Sequence, residues 1–201
     1  MKRENCPILS VFLLILAGVV FFPLLPAAAA ETTGVEGVSC DCSAYVADPD
    51  PAGTNVRSGP GKDYSIVRTL PGRAPIEVTI VGAAGEWIKI NEAYIFADGS
   101  DPNIKEDTTL TLSGWVWGPL LGVDTRVSKH DPEGRPSWYY LKGVPLYAEP
   151  NADSPILAAL PGGTGVTILG CKDKWLKIRY EKLEGWLGWG SYCPSAVTTC
   201  P

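Results

Sequence analysis

The residues that could do chemistry in this chain are few, and their spacing argues against catalysis. Nucleophilic hydrolysis needs a nucleophile, a base and a group that orients the base. The single histidine, His130, sits between Lys129 and Asp131 in a polar, proline-containing stretch, as a solvated linker residue would. Asp48, Asp50, Asp98 and Asp101 could pair for glycoside hydrolysis by residue type alone. Each stands near Pro or Gly, where aspartate ordinarily serves turns. Asp48-x-Asp50 followed by Gly53 and Asn55 has a faint likeness to a calcium loop, but two intervening prolines and a missing third carboxylate oppose it. Cys40-x-Cys42 is the wrong spacing for a zinc knuckle, and Cys193 and Cys200 are too far apart to supply a second one. No glycine-rich phosphate loop precedes a helical pattern. The sequence therefore predicts no catalytic residue, no metal site and no cofactor.

Binding is the remaining class. The chain carries seven tryptophans and eight tyrosines, enough to supply surface rings as well as core. Trp87 and Trp175 alternate with polar neighbours inside apolar runs, as core residues do. Trp115, Trp117, Trp186 and Trp189 fall two or three apart. Trp115 and Trp117 share one face of a strand, more aromatic area than a small barrel can bury, so at least one of Trp117 and Trp189 should be exposed. Such rings stack on sugars or pack on peptide; equally, they could form an interface between domains. Asn55 and Arg57 flank Val56 just before Ser58-Gly59-Pro60-Gly61. Arg57 looks the more exposed of the two and could reach an acidic group, while Asn55 could simply bond neighbouring backbone. The candidate ligand-binding set is Asn55, Arg57, Trp115 and Trp117.

These residues recur in order. Gly53, Val56, Pro60, Ile66, Leu70 and Pro71 match Gly143, Leu146, Pro150, Ile156, Leu160 and Pro161. Val78–Gly82 and Trp87–Ile90 match Val166–Gly170 and Trp175–Ile178. Gly114-Trp115-Val116 matches Gly185-Trp186-Leu187. Internal repetition at this spacing sets the architecture before any local reading does. Each block is short, rich in β-branched or aromatic residues and bounded by Gly, Pro, Asn or Asp. That is the pattern of small β-barrels, with little helix beyond a turn near each last strand.

The series Asn55-Val56-Arg57-Ser58-Gly59-Pro60-Gly61, Leu70-Pro71, Trp87-Ile88-Lys89-Ile90 and Gly114-Trp115-Val116 resembles the bacterial SH3 (SH3b) domain. The second copy is similar but drifted, with Pro145-Leu146-Tyr147 in place of Asn55-Val56-Arg57. The resemblance implies an all-β fold of two tandem SH3-like small β-barrels. It also implies a non-catalytic module that binds peptidoglycan or a related cell-wall ligand. A protein–protein adaptor for another envelope protein is the alternative. The expected boundaries are a signal peptide at 1–30, a cysteine-containing segment at 31–43 and a first domain at 44–121 with a hairpin insertion at 91–113. A linker follows at 122–137, then a second domain at 138–193 and a tail at 194–201. The insertion could contribute to the site or be a plain extended hairpin.

Address and charge agree with this reading. Lys2 and Arg3 precede an apolar run from about Ile8 to Leu25. Ala28 and Ala30 then suit a cleavage site after Ala30; an uncleaved anchor is the alternative. Of 17 basic and 22 acidic residues, loss of Lys2, Arg3 and Glu4 leaves 15 and 21, a net charge of −6. That balance gives no electrostatic support for nucleic acid, or for a membrane after cleavage. Export to the periplasm or beyond favours disulfides. Cys171 and Cys193 both lie in the second repeat, and the first has Ala83 and Gly122 at the matching positions. A bridge private to the second barrel, Cys171–Cys193, is therefore expected. Cys200 could pair with Cys40 or Cys42, clasping the ends together; the competing pairings are Cys193–Cys200, a local loop, and a strained Cys40–Cys42 ring, and one or more of these thiols could be free.

Overall fold

Thirteen strands alternate with tight turns from Val38 to Cys193 in the computed structural model, which describes residues 37–128, 130–135 and 142–198. The first repeat comprises β1 (Val38–Val46), β2 (Thr54–Arg57), β3 (Ile66–Leu70), β4 (Ile76–Ala84), β5 (Trp87–Ile95), β6 (Thr108–Trp117) and β7 (Leu121–Thr125). The second comprises β8 (Val144–Tyr147), β9 (Ile156–Leu160), β10 (Gly165–Lys172), β11 (Trp175–Tyr180), β12 (Leu183–Gly188) and β13 (Tyr192–Cys193). The one helical turn among the described residues is the 3₁₀ segment Gly118–Leu120 between β6 and β7. The all-β, SH3-like fold expected from the sequence is present.

The two repeats agree strand for strand in register. Thr54 opposes Leu70 as Val144 opposes Leu160, and Arg57 opposes Trp115 as Tyr147 opposes Trp186. Trp87 opposes Trp117 as Trp175 opposes Gly188, and Ile90 opposes Gly114 as Ile178 opposes Gly185. The glycines are placed for a reason. A Cβ on Gly114 would strike the Val56 side chain and the Arg57 carbonyl, and one on Gly185 would strike Leu146 and the Tyr147 carbonyl. Gly53 and Gly143 both hold positive φ, 94° and 123°, hard against the carbonyls of Leu70 and Leu160, a conformation other residues resist. Matched apolar positions fill the core: Val56 with Leu146, Ile80 with Ile168, Ile90 with Ile178, Val116 with Leu187, all fully buried.

The two units do not close separately. Their strands form one sheet in the order β3-β2-β6-β5-β4-β1-β7-β10-β11-β12-β8-β9, with β13 also paired to β7. β7 has two roles. Its start pairs with β1 (Val46 with Leu121) as the last strand of the first unit. It also pairs with β10 (Val123 with Val166) as β1 pairs with β4 (Ala44 with Val78). β13 then pairs with β7 as β7 pairs with β1. The polar stretch expected to be linker from 122 thus begins as a shared strand, because Leu121 and Val123 are fully buried. The described residues all belong to one compact unit, Gly34–Pro201.

The disulfide expectation is corrected. Cys171 is bonded to Cys40, 131 residues away, with Cα atoms 5.9 Å apart. Cys193 is in a different disulfide, and Cys42 is a buried free thiol. Cys193 cannot reach Cys171 because β7 lies between β13 and β10. Two strand spacings are roughly 9.5 Å, beyond the roughly 7 Å limit for bridged Cα atoms. The start of β1 runs instead beside the β10–β11 turn. There the Asp41 amide donates to the Asp173 carbonyl (2.7 Å) and the Asp173 amide to that of Ser39 (2.9 Å). That contact brings Cys40 to Cys171 and rules out pairing of Cys40 with Cys200. Cys200 itself, like the expected signal peptide, lies outside the described residues.

Candidate binding site

Three of the four candidate site residues converge on one cleft of the first repeat. It holds about 230 Å³ and is lined by Asp48, Asp50, Gly53, Asn55, Arg57, Lys62, Trp87, Trp117 and Leu120. Strand register builds its floor. Trp87 of β5 and Trp117 of β6 are a directly opposed pair, so both rings project from the same face. Their neighbours Ile88 and Val116 point the other way, into the core. Trp117 is 39% exposed, and Trp189 is exposed too, as expected.

The wall is β2 and its two flanking turns. The Thr54 hydroxyl donates to the Asp48 carboxylate (2.9 Å), the Asp50 amide donates to Asp48 (3.0 Å), and the Ala52 amide donates to Asp50 (2.9 Å). These bonds fix both carboxylates at the Thr54 end. At the other end the Arg57 guanidinium donates to the Tyr64 carbonyl (2.8 Å). This pins the 58–65 turn, which also carries Lys62, and leaves the remaining Arg57 donors for other partners. Between them Asn55 accepts from the Thr69 hydroxyl (3.0 Å), which leaves its amide hydrogens for other partners. Asn55 is exposed and Arg57 is half-buried, the reverse of the expected order, because the Tyr64 contact draws Arg57 down.

Trp115 is not part of this cleft. It is 8% exposed, stacked under the Lys89 ammonium at 5.9 Å and close to Gly37. The 91–113 hairpin does not line the cleft either. Its tip bonds elsewhere: the Phe96 amide to the Pro75 carbonyl (3.0 Å) and the Ser100 hydroxyl to that of Arg73 (2.7 Å).

The equivalent place in the second repeat is filled by the protein itself. Tyr147, at the Arg57 position, is buried and packs edge-on against Trp175 with centroids 5.3 Å apart. Gly188 replaces Trp117, and Pro132 occupies the space its side chain would take. Equal burial of Trp87 and Trp175 was expected and is not observed: Trp175 is buried, Trp87 half-buried. The cause is this filling, not a register difference. Sequence reasoning did not place Trp87, Asp48, Asp50 and Lys62 beside Asn55, Arg57 and Trp117 in this cleft. The Trp117-to-Gly188 exchange was the available signal for the first of them.

A hidden thiol lies near the seam. Cys42 donates to the Asp173 carbonyl (3.4 Å), and burial pushes its pKa up to about 11, a shift the Tyr192 hydroxyl only partly offsets.

With this geometry in hand, comparison with known proteins is decisive for family. The family model described as the bacterial SH3 domain matches residues 52–121 and 142–192. The chain belongs to the bacterial SH3 domain family. It is similar to YrvJ of Bacillus subtilis (strain 168), provisionally named an N-acetylmuramoyl-L-alanine amidase, at 24% identity over 149 residues. That match covers 70% of this chain and 24% of YrvJ, so this bacterial SH3 protein spans about a quarter of that relative. Among solved structures it is similar to NlpC2 from Trichomonas vaginalis at 14% identity and a TM-score of 0.28, covering 75% of this chain and 47% of that one. A score this low carries no argument.

Proposed function

We propose that this bacterial SH3 protein is a non-catalytic module of the cell envelope that binds peptidoglycan through the Trp87–Trp117 cleft. The observation that carries the reading is that cleft: two opposed indoles on an open face, walled by Asn55 and Arg57. Membership of a family of cell-wall-binding modules supports it. So does the similarity to a protein provisionally named an N-acetylmuramoyl-L-alanine amidase, over 70% of this chain. Non-catalytic function rests on the chemistry. Among the described residues Cys42 is the one free cysteine, and its thiol is buried and hard to ionise, the wrong state for a nucleophile. Export is proposed from the N-terminal pattern and suits the Cys40–Cys171 bond. No described helix is long and apolar enough to cross a membrane.

Co-sedimentation of the chain from Glu31 onward with insoluble peptidoglycan tests this. The native chain should pellet with the wall, and Trp117→Ala should weaken binding at least tenfold, about 1.4 kcal/mol. Because Trp117 is already partly exposed, its Tm should change little. A strong fall in Tm with binding intact would make Trp117 a core residue and end the reading.

A second reading, an adaptor for another envelope protein, is favoured by the edge strand β3. There Ile66 and Val67 are 50% and 53% exposed and, among the described residues, the outer backbone edge pairs with no other strand. Wall binding that is absent, with an envelope protein retained through β3, would support it.

A further inference from the structure

We infer that the second repeat has a binding site of its own, the Trp175–Gly188 cleft, and that the 131–135 turn is a removable plug holding it shut. The site takes a proline-bearing segment, and Pro132 is its resident occupant. It lies in the other repeat and is independent of the wall-binding proposal. Gly188 is the key position. It opposes Trp175 as Trp117 opposes Trp87. Where Trp117 spreads an indole, Gly188 leaves bare backbone, and a proline from elsewhere in the chain is laid into the gap. A Cβ on Gly188 would overlap the Cβ and Cγ of Pro132 and press on the Trp175 ring. Tyr147 packs edge-on against the same ring. Such a seat suits proline. The ring is apolar, its φ is already fixed and it has no N–H. Seating it loses little conformational freedom and strands no donor.

The turn is built to present that ring. Asp131 closes it: its carboxylate accepts from the amides of Glu133 (3.1 Å) and Arg135 (2.8 Å), and its carbonyl accepts from the Gly134 amide (2.9 Å). The Asp131 amide donates to the Arg135 carbonyl (2.8 Å). These bonds are internal to the turn and survive if it moves as a body. Its attachment to the second repeat is slight. Among the described residues one hydrogen bond makes it, from the Arg135 guanidinium to the Asp153 carboxylate (3.0 Å). The two side chains are 50% and 84% exposed, and ion pairs so exposed hold weakly and are screened by salt. A cleft of about 610 Å³ also runs beside the turn, lined by Asp131, Pro132, Gly134, Val127 and Trp189 among others. One ring and one exposed ion pair therefore hold the plug, with open space next to it. Few buried contacts of this kind mark a segment that opens locally. A tethered plug competes as if present at roughly millimolar concentration, so the native site is shut to dilute ligand.

The test uses a capped peptide with the sequence of residues 130–135, titrated into the ¹⁵N-labelled chain from Glu31 onward. A copy with alanine in place of the proline is the control. Against the native chain neither peptide should move the Trp175 indole N–H signal at about 0.1 mM, well below the effective concentration of the tethered turn. Pro132→Ala combined with Arg135→Ala removes ring and tether together. The prolyl peptide should then give a saturable shift at Trp175. It should bind at least tenfold more tightly than to the native chain, and at least tenfold more tightly than the alanyl copy. Arg135→Ala alone changes one half-exposed side chain and spares the fold. It loosens the plug while the peptide keeps its own arginine for Asp153, so affinity should rise at least threefold, and adding Asp153→Asn should lower it again. Equal binding of the prolyl peptide to native and released chains, equal binding of the two peptides, or a shift centred away from Trp175 would each overturn the inference. Failure of the native chain to pellet with wall would end the wall-binding proposal and leave this site standing.

Discussion

Trp87 and Trp175 sit at one register position in two copies of one fold, and their surroundings differ because of two exchanges, Arg57 for Tyr147 and Trp117 for Gly188. At the scale of single residues, an open site and a filled one are thus separated by which side chains stand beside the same indole. Restoring Trp at 188 should cost stability, since even a Cβ there overlaps Pro132; overpacking of this kind costs roughly 1–3 kcal/mol, measurable by denaturant unfolding of Gly188→Trp. Cys42 supplies a pH prediction. Its folded pKa is raised to about 11 from 9.0, chiefly by burial. Below pH 9 the thiol is neutral in both states and contributes no pH dependence. Between pH 9 and 11 the unfolded chain loses the proton and the folded chain keeps it, so stability falls as pH rises. The loss approaches about 2–3 kcal/mol per site at the top of that window. Cys42→Ala should flatten this part of the alkaline limb in unfolding measured across pH. The intact protein should also resist alkylation of Cys42 at neutral pH until it is unfolded.

At the scale of elements, the short G-W strands explain what the sequence made legible. Gly114 and Gly185 let β6 and β12 pass close over β2 and β8. Gly114→Ala and Gly185→Ala should each destabilise by roughly 1–3 kcal/mol, seen as a fall in Tm, with no change of register. The repeated strand blocks and the hairpin from Trp87–Ile95 to Thr108–Trp117 were readable because Gly, Pro and alternation are local signals, whereas most of β1 and β7 fell in the stretches expected to be N-terminal segment and linker. The cleft was half readable. Asn55, Arg57 and Trp117 stand out by type and motif, whereas Asp48 and Asp50 looked like turn residues, which they also are. Trp115 misled because alternation in a strand says which face a ring takes, and not what covers it. It is buried, with the Lys89 ammonium over its ring.

At the scale of the whole molecule, β7 makes the two repeats one body by ending the first and beginning the second. The Cys40–Cys171 bond crosses the same seam. A private bridge was a reasonable inference from the repeat, but connectivity depends on which strands are neighbours, and sharing of β7 is invisible in a sequence. Closing 131 residues contributes roughly 4–5 kcal/mol in the chain-entropy model. Cys171→Ser should therefore lower Tm by roughly 10 °C, and non-reducing peptide mapping should link the Cys40 and Cys171 peptides. Recovery of a Cys171–Cys193 link would refute the strand order at the seam.

The central claim is that one repeat binds wall and the other holds its own side chains in the same place. The most direct measurement is an indole N–H map of the labelled chain titrated with solubilised peptidoglycan fragments. The account predicts saturable shifts at Trp87 and Trp117, none at Trp175, and a stoichiometry of one fragment per chain. Shifts centred on Trp175, or equal shifts at Trp87 and Trp175 with two fragments bound, would contradict it.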